Sequence, residues 1–175
     1  MTMYTLFMGY SANHASAELL YQFAEKAINN WERIGNRLQH PLNMTKSGQM
    51  SPLLRPQHGA LDLVIYGELI VLPAYQEMYK HADYPNLLDQ VYIYSETNSN
   101  EIKYKVGGFE ILSMQHNGTN TGSLIYKDVP INFIRTLNKK YDNETVTEQI
   151  DSHGTIRFSR TTTGQYVMGI YIANI

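Results

Sequence analysis

Histidine is the side chain best suited to proton transfer near neutral pH, and this chain has six: His14, His40, His58, His81, His116 and His153. Two of them open short triplets with a hydroxyl residue, His14-Ala15-Ser16 and His153-Gly154-Thr155. Two imidazoles facing one cleft could act as general base and general acid on a phosphodiester, with a neighbouring hydroxyl such as Thr155 steadying the reacting group. The Ser and Thr content of the chain also supplies such triplets by chance. Metal ligation has thinner material. His81-Ala82-Asp83 is a single dyad, and His58 and Asp62 are four apart, whereas zinc needs three or four converging donors. No metal and no cofactor are therefore expected. There is no Gly-x-Ser-x-Gly, no phosphate-binding glycine loop and no cysteine, which removes disulfides and thiolate chemistry.

The paired His-x-Ser/Thr triplets resemble those of the 2H phosphoesterases. That resemblance implies a metal-independent phosphodiesterase or ribonuclease using His14 and His153. The family keeps each motif on a central strand, whereas His14 stands at the mouth of an expected helix.

Tyrosine is the other conspicuous residue, fourteen in all, crowded between Tyr66 and Tyr126. A tyrosine covers a large area at small entropic cost and keeps its hydroxyl wet, which suits contact surfaces. The plainer role is cross-strand pairing within a sheet. Tyr92 and Tyr94 share one face of an expected strand, Tyr104 lies on its hairpin partner, and Tyr126 follows two strands later. These four are the expected interface.

The elements that would carry these residues can be read from periodicity. Met3 to Met8 (MYTLFM) reads as an opening strand and Gly9 to Asn13 as a loop, with Ser11 or Asn13 as N-cap. From Ala15 to about Leu38 the apolar residues Leu20, Phe23, Ala27, Trp31, Ile34 and Leu38 recur every three or four positions, which predicts a long helix. Residues 40–59 hold Pro41, Pro52 and Pro56 with Gly48 and Gly59, so a loop of about twenty residues is expected. Ala60 to Leu72 (ALDLVIYGELIVL) reads as strand with a bend at Gly67. Pro73 opens a short helix. Gln90–Ser95 and Ile102–Val106 form a hairpin, Gly107-Gly108 permits a bulge, and FEILSMQ and SLIYK continue the sheet. Asp128 is the expected cap of a second helix that runs to about Tyr141. Residues 155–160 and 166–172 give two last strands, the final one central and covered on both faces.

Pro41, Thr45-Lys46 and Ser51-Pro52-Leu53-Leu54, with the hairpin text QVYIYSETNSNEIKYKV and FEILSM, resemble parts of the Hcp tube protein family of type VI secretion. The resemblance implies a β-barrel subunit stacking in hexameric rings. It covers under a quarter of the chain, and no residue roles are carried over from it.

Composition frames these readings. Apolar residues are 43% and charged residues only 17%, the difference being made up by neutral hydrogen-bonding types that suit strands and contacts. Net charge is −2, and basic residues are dispersed, so there is no strong nucleic-acid signal, although one face could still gather them. No apolar run approaches the roughly 20 residues needed to span a bilayer, and MTMYTLFMGYSANHAS lacks the basic start and long apolar core expected of a signal peptide. A cytoplasmic setting is expected, with signal-independent export as the alternative. The expectation is one α+β domain over 1–175, with a mixed, mainly antiparallel sheet, a long N-terminal helix on one face and a second shorter helix. Its expected work is non-catalytic protein binding or self-assembly through a Tyr- and Asn-rich sheet surface and the 40–59 loop. The phosphodiesterase is the first alternative and the Hcp-like tube subunit the second.

Overall fold

The computed structural model describes residues 2–37, 59–80, 86–95, 102–116, 121–146 and 150–173; the side chains of residues 2–15, 35–37, 78–80 and 116 fall outside that description. The 40–59 loop lies outside it as well, apart from Gly59.

The first helix, α1, runs from Thr2 to Arg37. It absorbs the stretch expected as a strand and loop. No proline interrupts the chain before Pro41, and the lone Gly9 costs a helix only about 1 kcal/mol. Three-four spacing of apolar residues also extends backward past Ala17, so helix continues where a strand was expected. The predicted stripe is correct in its described part: Leu20, Phe23, Ala27, Trp31 and Ile34 are all buried.

A second correction concerns Ala60–Leu72. It folds as α2 (Ala60–Tyr66) and a 3-10 turn (Gly67–Ile70) rather than a strand. Asp62 supplies the cap, its Oδ2 accepting the Gly59 N–H at 2.9 Å. Ala60, Leu61, Leu63, Val64 and Ile65 are all buried, so this helix is apolar nearly all round. A short apolar run of that kind looks the same on paper as a buried strand. Helix α3 then covers Pro73–Lys80 as expected.

Seven strands form one sheet: β1 (Tyr92–Ser95), β2 (Ile102–Val106), β3 (Phe109–His116), β4 (Thr121–Val129), β5 (Ile150–Asp151), β6 (Ile156–Arg160) and β7 (Tyr166–Ala173). Their order is β1-β2-β3-β4-β7-β6-β5, and every pairing is antiparallel. Gly107 and Gly108 both have positive φ, +56° and +88°, and join β2 to β3 with Val106 opposite Phe109. They make a two-residue hairpin turn instead of a bulge, the kind that needs left-handed backbone twice. The bulge in β3 lies at Leu112, between Ile111 and Ser113.

The last helix, α4, spans Ile131–Asp142. Pro130 is its N-cap, not Asp128; Asp128 sits in β4 with φ +55°, where the register with β7 shifts. β7 ends between β4 and β6, so the final strand is central. It is covered on one face only. Met168 and Ile170 are buried, while Val167 and Tyr171 are half-buried.

Helix α1 packs on β2, β4 and β7, α2 on β3, and α4 on β6. The strand positions pointing toward them are the buried ones, among them Met114, Leu124, Tyr126, Ile156, Phe158, Met168 and Ile170. Helices of the described residues therefore occupy one face of the sheet, and the opposite face carries none. No described helix is long and apolar enough to cross a membrane.

Candidate functional site

Of the six histidines, only His153 has a described side chain. It lies in the turn before β6 and is 89% exposed. Its backbone N–H donates to Asp151 Oδ1 at 2.8 Å, and its Nδ1 is 3.7 Å from the same oxygen. The Thr155 backbone is tied on both sides. Its N–H donates to Asp142 Oδ1 at 2.8 Å, beside the Ile156 N–H to Oδ2 at 2.9 Å. Its carbonyl accepts the Tyr171 N–H at 2.8 Å. Gly154, at φ +77°, lets this carboxylate come close: a Cβ there would stand 2.7 Å from Asp142. His14 is in α1, and its side chain lies outside the described residues, as do His58 and the His81/Asp83 dyad. A cleft of about 360 Å³ beside His153 is lined by Glu144, Asp151, Val146 and Phe158. Glu144 and Asp151 put two carboxylates at its wall. Among the described residues no three His, Asp or Glu groups converge as a metal site.

The four expected interface tyrosines divide two and two. Tyr126 is fully buried, and its hydroxyl donates to the Leu20 carbonyl of α1 at 2.8 Å. Tyr104 is 3% exposed, with its hydroxyl on Asp62 of α2 and its ring edge-on to Tyr66. Both belong to the core. Burial raises the ionisation of each phenol well above its ordinary range, and at Tyr104 the Asp62 carboxylate adds to it. The register explains the division. Ile93 stands opposite Tyr104, whereas Tyr92 and Tyr94 stand opposite Lys105 and Lys103 on the other face.

Tyr92 and Tyr94 do face outward. Tyr92 is 66% exposed, its ring 6.0 Å from that of Tyr94 and within 20° of parallel. The Lys105 ammonium sits 4.8 Å from the Tyr94 ring centre. Glu110 on β3 holds Lys103 at 3.3 Å and lies 3.8 Å from Lys127 of β4. Farther across the same face, the Arg157 guanidinium covers the Tyr171 ring at 3.9 Å, and Arg157 Nε donates to the Gly154 carbonyl at 3.0 Å. Tyr171 in turn lies over Gly169, where an added Cβ would be 2.6 Å from the ring. A shallow groove of about 260 Å³ runs here, floored by Ile125, Val167 and Gly169 and edged by Ile150, Asp151, Ser159 and Arg157.

Sequence reasoning overlooked Lys103, Lys105, Lys127, Arg157 and Tyr171. The available signal was the alternation in IKYKV, which puts two lysines on one face of a strand. Comparison with known protein families, with curated proteins and with solved structures found no match.

Proposed function

We propose that this chain is a non-catalytic protein-binding or assembly module working through the helix-free face of its sheet, with Tyr92 and Tyr94 at the centre of contact. The observation that carries this reading is the exposed Tyr92–Tyr94 stack, braced by Lys105. Two rings held in one arrangement lose little entropy when a partner covers them, which is why such residues anchor interfaces. His153 is 89% exposed beside Asp151, and the side chain of its expected companion His14 lies outside the described residues.

The test is size-exclusion chromatography with light scattering, together with affinity capture, on the parent and on a Tyr92→Ser/Tyr94→Ser variant. The expected result is self-association or a captured partner that the double variant loses. A strict monomer that captures nothing, or an association indifferent to both substitutions, overturns the proposal.

A further inference from the structure

The chain as a whole carries −2, yet the helix-free sheet face concentrates positive charge. Strand register puts Lys103, Lys105, Lys127 and Arg157 on it, against Glu110 between the lysines and Asp151 at the rim of the groove beside Arg157. Asp151 pairs with Phe158 at the short edge strand β5, and with it two acids stand against four cations. Glu110 serves both Lys103 and Lys127, which leaves excess cation.

Arg157 is the best prepared of these groups. The Tyr171 ring supports its guanidinium plane, and the Gly154 carbonyl takes its Nε proton. Among the described residues no carboxylate is bonded to its two terminal nitrogens. A guanidinium held flat in this way presents a fork that matches a carboxylate, and little freedom remains to be lost on binding. Beside it lies the apolar floor of Ile125, Val167 and Gly169.

We infer that the partner of this face is an acidic, extended segment of a protein, which seats a carboxylate on Arg157, lays apolar side chains on the Ile125–Val167 floor and runs its remaining acids toward Lys103 and Lys105. This rests on the binding reading above and names the chemistry of the partner. A single-stranded nucleic acid is the weaker occupant. Its bases need open ring faces. Here the Tyr94 ring has Lys105 and Tyr92 against it, and the Tyr171 ring has Arg157 and Gly169, so most stacking surface is already taken.

The experiment titrates the full chain with a short alternating Glu-Val peptide, its Gln-Val counterpart and a thymidine oligonucleotide, followed by amide NMR shifts. The Glu peptide is expected to move Arg157, Ser159 and Gly169, and to weaken as salt rises. Loss of one charge-assisted fork predicts about tenfold weaker binding in Arg157→Gln. Lys105→Gln should weaken it less, since its ammonium stays partly engaged with Tyr94. Equal binding of the neutral peptide, tighter binding of the oligonucleotide, or no shifts at Arg157 each overturn the inference. Partner capture that depends on Tyr92 and Tyr94 but ignores Arg157→Gln would sink this inference alone and leave the broader binding reading standing.

Discussion

Tyr126 and Tyr92 are the same residue type in one sheet, and the fold assigns them opposite duties. Replacing Tyr126 by Phe removes one hydroxyl and nothing else. That hydroxyl donates to the Leu20 carbonyl at 2.8 Å in a site closed to solvent. The carbonyl lies inside α1 and keeps its helical partner four residues on, so it is not orphaned. The expected cost is then the net worth of one hydrogen bond, about 1 kcal/mol. In a domain of this size that lowers Tm by roughly 2–4 °C. Tyr126→Ala adds the loss of a whole ring from a closed core, and the cost rises to about 4 kcal/mol. Tyr92→Ala takes a side chain already 66% exposed and should stay within about 0.5 kcal/mol. Urea denaturation followed by circular dichroism reads all three, with an unchanged slope required for the comparison. If Tyr126→Phe is neutral and Tyr92→Ala costs more than either Tyr126 change, the assignment of the two faces is wrong.

Asp142→Ala strips the acceptors from the Thr155 and Ile156 N–H groups and unpins α4 from β6, at about 2 kcal/mol; Asp142→Asn, with one oxygen kept, should lose about half of that in the same urea titration. A small equal loss in both would show that water replaces the carboxylate there. Tyr21 is pushed up to about 12 by burial and next by its hydrogen bond to Glu25, and Tyr104, Tyr126 and Tyr141 are raised further still. An unfolded chain releases phenol protons near pH 10, whereas these four hold theirs. Their contribution is complete below that pH and drains away as pH climbs through the folded-state values. Phenolate absorbance should therefore show a normal set of tyrosines titrating first and these four only at higher pH; a single transition near pH 10 in the folded protein would contradict it.

The parts of the fold that could be read from the sequence are those where one signal acts alone. The α1 stripe from Leu20 to Ile34 has a helical period with no competing reading. The hairpin of β1 and β2, the return of β4 and the β6–β7 turn at Thr163-Gly164 each have turn residues between β-prone runs. The parts that failed had two signals of similar weight. MYTLFM has strand composition, yet no breaker separates it from the helix that follows, and continuing a helix needs no new nucleus. Asp128 is a good capping type placed ahead of a helix, but Pro130 sets the backbone angle there and the strand claims Asp128 first.

The misplaced tyrosine and the misread helix are one error. Asp62 has two oxygens: Oδ2 takes the Gly59 N–H and starts α2, and Oδ1 takes the Tyr104 hydroxyl from β2. Read as a strand, residues 60–72 would have offered Asp62 no capping duty and Tyr104 no helix to lie under. Tyr104 would then have had every reason to join Tyr92 and Tyr94 at the surface. Once α2 exists, its carboxylate and the Tyr66 ring hold Tyr104 inside, and the period of two along β2 sends Lys103 and Lys105 outward. The tyrosine- and lysine-bearing face thus follows from the β1–β2 register, while the choice between cap and strand at Asp62 escapes composition because the apolar residues around it serve either outcome.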